Sequence, residues 1–140
     1  MNTSLDHITL NIPNWTPGYS SYKRKPEVSN NNMAHIHTIL SFKSLEDDWD
    51  SYNAKKPSGA AITKAINFIV GDLSASGKEV FFSAPTPDGD ILIEVKNGDS
   101  NLEFIFSGEV DDKVIACQKG EFMQEAPLTE TTFNAYTNWL

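Results

Sequence analysis

The chain has 140 residues, enough for one domain with its own core and no need of metal or disulfide staples. Hydrophobic residues make up 39% and include eight Phe, while 19 acids against 11 bases leave a net charge of −8. That charge repels phosphate backbones and anionic lipid, which argues against direct nucleic-acid or membrane binding and makes a basic partner the natural inference.

No apolar run approaches the roughly 20 residues that a bilayer requires. The segment Met1-Asn2-Thr3-Ser4-Leu5-Asp6 lacks the basic and apolar regions of a signal peptide, so the cytoplasm is the expected compartment. The single cysteine, Cys117, excludes an internal disulfide and a cysteine-rich zinc site. It lies in an apolar, strand-like run and reads as core packing.

Residues Asp6 to Ile12 alternate as a strand, with Ile8, Leu10 and Ile12 on one face. Periodicity then stops. The stretch from about 13 to 32 holds three prolines, a glycine, Trp15, Tyr19 and Tyr22 in a polar background. It reads as an irregular arm, within a single domain spanning 1–140, whose aromatics either cover the core edge or contact a partner.

Met33, Ile36, Ile39, Leu40, Phe42, Leu45 and Trp49 recur at mostly helical spacing, with N-caps available in Ser29-Asn30-Asn31-Asn32. Ile62, Ala65, Ile66, Ile69 and Leu73 form a second stripe, with Ser58 placed to cap it and Gly77 to end it. Between them, Pro57 biases Lys56 away from helix, and Asp50 and Asn53 can bond nearby amides. A helical hairpin follows, with Trp49 sealing its closed end and Trp49 and Asp50 as candidate contact residues. Asp47 and Asp50 could share a cation, but a hard cation wants six or more oxygens, so solvated helix surface with one capping Asp is the expectation. His35 and His37, two apart on a helix, diverge too far to chelate together, so solvent-facing or capping histidines are the expectation. No metal or cofactor is expected.

After the hairpin the period becomes two. Val80-Phe81-Phe82 reads as a short strand, and Pro85-Thr86-Pro87-Asp88-Gly89 is turn chemistry. Asp90 to Lys96 and Asn101 to Ser107 are the clearest strands. A two-residue turn at Gly98-Asp99 would pair Val95 with Leu102, Ile93 with Phe104 and Ile91 with Phe106, all apolar and on one face. The same register sets Glu94 opposite Glu103 on the other face. Opposed carboxylates divide acid and base roles in some hydrolases and grip cations or arginines elsewhere, so this pair is either solvated or relieved by Lys96, the expected reading, or the candidate catalytic or ligand site. Asp112 to Gln118 and Glu121-Phe122-Met123 supply further strands. A helix from about Leu128 to Leu140, capped by Thr129, carries the stripe Phe133, Tyr136, Trp139 and Leu140. The order predicts an α+β fold: a helical hairpin and a C-terminal helix packed on an antiparallel meander sheet of four to five strands.

The run Trp49-Asp50-Ser51-Tyr52-Asn53-Ala54-Lys55-Lys56-Pro57-Ser58, followed by an amphipathic helix and later by Pro85-Thr86-Pro87-Asp88-Gly89 leading into Ile91-Leu92-Ile93-Glu94-Val95, resembles a family of small uncharacterised bacterial proteins. Members share a turn of this tryptophan-aspartate type between helices and a Pro-Thr-Pro-Asp-Gly lead-in to a strand. The resemblance covers about the middle half of the chain. Gly59 departs from the family's pattern after the serine and weakens the start of the second helix. The resemblance implies a single small bacterial domain. No activity is attached to the family, so no functional residue is carried over.

Phosphate-cradling, dinucleotide-binding, nucleophile-elbow, zinc-protease and dithiol motifs do not occur. Elimination, acidity and the aromatic arm together predict a non-catalytic protein that acts by binding another, as adaptors, inhibitors, immunity proteins and antitoxins do. A small-ligand-binding domain or hydrolase using Glu94 and Glu103 is the alternative from another class. An acidic mimic of nucleic acid is a third.

Overall fold

A computed structural model describes residues 27–140. The strand expected at Asp6 to Ile12 and the aromatic residues Trp15, Tyr19 and Tyr22 lie outside them. Helix α1, Asn30–Ser41, begins where the irregular arm was expected to end, with the Ser29 hydroxyl accepting from the Asn32 amide at 3.1 Å. It buries Met33, Ile36 and Ile39 and closes in a single 3-10 turn, Phe42–Ser44. The helical spacing read on through Trp49 therefore overshoots. Leu45 is extended, and Asp47, Asp48 and Asp50 beyond it bond backbone amides within a loop, the competition with helix that short acidic side chains set up.

Helix α2, Gly59–Phe68, starts at the expected cap: the Ser58 hydroxyl accepts from the Ala61 amide at 3.0 Å, Gly59 notwithstanding. It continues into a π-helical segment, Ile69–Leu73, and the chain leaves through Gly77 at φ 72°. The extra residue that a π turn inserts lets Ile69, Val70, Gly71, Asp72 and Leu73 all be buried.

Five strands follow in a meander: β1 Phe82–Pro85, β2 Ile91–Asn97, β3 Ser100–Phe106, β4 Lys113–Gln118 and β5 Glu121–Pro127, each antiparallel to its sequence neighbour. Strand β1 starts later than the expected Val80-Phe81-Phe82. Val80 already spends its backbone on two side chains, its amide donating to Asn32 Oδ1 at 2.8 Å and its carbonyl accepting from Asn31 Nδ2 at 2.9 Å. Those asparagines clamp the start of α1 to the segment before β1, and Asn32 is buried while doing so. Strand β5 runs further than the expected Glu121-Phe122-Met123, reaching Pro127. Helix α3, Glu130–Trp139, has a reciprocal cap in which Thr129 accepts from the Thr132 amide and Thr132 accepts from the Thr129 amide.

The β2–β3 register is the one expected. Ile91 faces Phe106, Ile93 faces Phe104, Val95 faces Leu102, and the link is the two-residue turn at Gly98 and Asp99. These six residues, with Val114 and Ala116 of β4, form the floor on which the three described helices lie. Phe68 of α2 is the hub: its ring centroid is 4.7 Å from Phe104, 5.0 Å from Phe106 and 5.7 Å from Phe133 of α3, the last edge-on. One side chain thus ties two helices to the central strand.

Truncating Phe68 to Ala should cost about 3–5 kcal/mol, a large share of the roughly 5–15 kcal/mol available to a domain. The measurement is the urea midpoint, and a loss under about 1 kcal/mol would contradict the hub.

Candidate functional site

With every described helix on one side of the sheet, the other side carries Phe82 of β1, Leu92 and Glu94 of β2, Glu103 and Ile105 of β3, Ile115 and Cys117 of β4, and Phe122 of β5. Period-two alternation puts them there: each is one place removed from a core residue. Phe82 is 47% exposed and Phe122 63% exposed, while Leu92, Ile105 and Ile115 are half-buried.

Glu94 and Glu103 are direct cross-strand partners. The Glu94 carbonyl accepts from the Phe81 amide at 2.8 Å, so its backbone bonds point toward β1, and Glu94 and Glu103 form a non-hydrogen-bonded pair, the closer of the two kinds. The Glu94 carboxyl is pushed above its ordinary value, first by burial and then by the Glu103 charge; Lys96 pulls the other way and is the smallest of the three influences. Lys96 is also engaged above the Phe81 ring, 5.0 Å from its centroid.

Cys117 is buried as expected but stands on this face rather than among the core residues beneath the helices. Burial, then Glu103 and Glu94, raise its thiol pKa, which keeps it in the unreactive protonated form.

The central loop, Leu45–Ser58, uses its polar residues internally. Asp50 Oδ1 accepts from the amides of Tyr52 and Ala54 at 2.8 and 3.1 Å, Asp48 Oδ1 from Asn53 at 2.8 Å and Asp47 Oδ1 from Lys56 at 3.0 Å. Trp49 Nε1 donates to the Lys55 carbonyl at 2.9 Å. This bonding holds Asp48, Ser51 and Asn53 in the left-handed region at φ 67°, 66° and 68°. The expected solvated acids are therefore caps, and Tyr52, 86% exposed, is what the loop presents outward. The loop is fastened to the Pro85–Gly89 turn by Lys55 donating to the Pro87 carbonyl at 2.9 Å and Ser58 to the Gly89 carbonyl at 3.0 Å. It lies at one end of the sheet, away from the Glu94–Glu103 pair, so the two sets of expected residues do not form one site.

His35 Nδ1 lies 2.8 Å from the Ser83 hydroxyl, on the side of the sheet that faces the helices. Ser83 is buried, and burial alone depresses the His35 pKa, with no carboxylate contributing. The contact fastens α1 to β1. It corrects the expectation of a solvent-facing or capping histidine, since a buried partner across the fold is invisible in local sequence.

Two grooves open elsewhere. One, of about 360 Å³, lies between the end of the α2 segment at Ala75–Lys78 and helix α3. The other, of about 220 Å³, runs between α3 and the β4–β5 hairpin. Neither is lined by Glu94 or Glu103. Among the described residues no group of three or more His, Cys, Asp or Glu side chains could hold a metal ion, and no helix is long and apolar enough to cross a membrane. The sequence reading missed the exposed Phe82, Phe122 and Met123; the alternation in each strand carried the signal for the first two, but the uncovered face needed the sheet order. Comparison with family models, with curated proteins and with solved structures finds no match to the chain.

Because the folded-state pKa of Glu94 lies above its ordinary 4.5, the unfolded chain gives up this proton first, and stability falls as pH rises from 4.5 through the folded value. Glu94→Gln should therefore raise stability near neutral pH by roughly 0.2–1 kcal/mol, less in high salt. The gain should fade below about pH 4, where both states are protonated. Urea midpoints for the two proteins across that range measure it. In the loop, Asp50→Ala should lower stability by about 1–2 kcal/mol, with Asp50→Asn recovering most of the loss because its amide oxygen still accepts.

Proposed function

We propose that this protein works without catalysis, by binding another protein through the helix-free face of its sheet, in the manner of a small bacterial cytoplasmic adaptor, inhibitor, immunity protein or antitoxin. The observation that carries the reading is the face itself: apolar Phe82, Leu92, Ile105, Ile115 and Phe122 surround a carboxylate pair, with no helix among the described residues laid over them. Apolar residues around a charged pair can form a contact surface, and two facing carboxylates on a chain of net charge −8 favour a basic partner. A ligand-binding or hydrolytic site built on Glu94 and Glu103 is the second reading. The raised Glu94 carboxyl favours it, but neither glutamate lines either of the two grooves described above, and a small molecule needs a concave site.

Capture from a bacterial extract with the wild-type chain and with Phe82→Ser/Ile105→Lys tests the reading. A specific partner should be retained by the wild type, released as salt rises and lost by about tenfold or more in the variant, whose circular dichroism stays native. Equal retention by both chains would overturn it.

A further inference from the structure

Among the described residues, strand β5 is one of the two edges of the sheet. The other edge, β1, offers four residues and ends in Pro85, whereas β5 offers seven. Among the described residues nothing pairs with the outer side of β5, and all but one of its side chains are exposed. The tight turn before it, Lys119-Gly120 at φ 52° and 80°, fixes its register, and a bulge beside Ala116 and Cys117 leaves Met123 as the extra residue. The bulge and Pro127 limit the free ladder to a short stretch, too short for backbone pairing alone to hold a partner.

The 220 Å³ groove adjoins that stretch. Met123 and Gln124 form one wall, Ala135 and Trp139 of α3 the other, and Ala116 and Tyr136 also line it. Met123 is 52% and Trp139 41% exposed, and the Tyr136 hydroxyl is buried with no hydrogen-bond partner among the described residues. On the opposite side of the same strand stand Phe122 and Glu125. Glu121 and Glu125 form no ion pair with any described residue; the single described ion pair is Lys64–Asp112. Lys113 and Lys119 stand at the two ends of β4, outside the central stretch of β5.

We infer that β5 receives an extended segment of a partner protein as a sixth strand, with alternate apolar side chains entering the α3–β5 groove and lysines or arginines in between meeting Glu125. This rests on the protein-binding reading above and adds to it a contact at the edge beside the open face. Backbone pairing sets the orientation, the groove selects apolar residues at every second position, and the acids select the positive charge. A second copy of this chain is disfavoured as the occupant, since each copy carries −8.

The test uses an end-blocked heptapeptide alternating lysine and leucine, a control of the same composition with the lysines in one block, and amide hydrogen exchange read by NMR. The alternating peptide should slow exchange across Phe122 to Ala126 and bind about tenfold or more tightly than the block control. Ala135→Arg, at an exposed helical position that crowds the groove, should weaken it about tenfold, while Val110→Ser, at an exposed position in the β3–β4 connection, leaves it unchanged. Equal binding of the two peptides, protection elsewhere, indifference to Ala135→Arg, or sedimentation as a β5-dependent dimer would each overturn the edge mode. The partner captured from extract separates the two levels. Loss with Phe82→Ser/Ile105→Lys but retention with Ala135→Arg keeps protein binding and removes the edge mode, whereas loss with neither removes both.

Discussion

The turn at Gly98 and Asp99 determines which side of this sheet is inside. A two-residue link leaves one register for β2 and β3, and in that register six large apolar side chains share a face. A slip by one residue would send all of them to the other side, so the hydrophobic gain of the core and the identity of the open face are decided together. The same register makes Glu94 and Glu103 a close, non-hydrogen-bonded pair. Their repulsion is a small local cost carried by a hairpin whose burial is worth far more.

Everything packed above the sheet follows from that floor. Phe68 of α2 meets Phe104 and Phe106 of β3 and Phe133 of α3, so α2 and α3 are positioned by one aromatic cluster. Polar groups then fasten the ends: Asn31 and Asn32 hold the segment before β1, and Lys64 donates to the Ser107 carbonyl at 2.6 Å and to Asp112 at 3.0 Å, tying α2 to the β3–β4 connection. Gly108 completes that junction, because a Cβ there would come within 2.6 Å of the Ser58 hydroxyl that caps α2. The fold is thus braced on one face, and among the described residues no helix covers the other face and no strand pairs with the outer side of β5.

How much of this is legible in sequence depends on the range of the interaction. Alternation in Ile91–Val95 and Leu102–Phe106, with a turn between them, disclosed the register and the Glu94–Glu103 pair, because strand pairing across a tight turn is nearly local. Ser58 and Thr129 were legible as caps for the same reason. The α1 end was misplaced because Leu45 and Trp49 keep helical spacing while Asp47, Asp48 and Asp50 divert the backbone into side-chain bonds. The β1 start was misplaced because Val80 is claimed by Asn31 and Asn32, 49 and 48 residues away. The face that a domain leaves open is also nonlocal, since it depends on where three helices from distant parts of the chain settle.

The open face and its acids stand or fall with the hairpin register, and a cross-strand disulfide reads that register most directly. In a Cys117→Ser background, Glu94→Cys and Glu103→Cys place two thiols at a close antiparallel pair within the span that a disulfide bridges. Mild oxidation should close an intramolecular bond quantitatively in the monomer with unchanged circular dichroism. Thiols that stay free under those conditions, or that link only between molecules, would show that the two positions do not face each other.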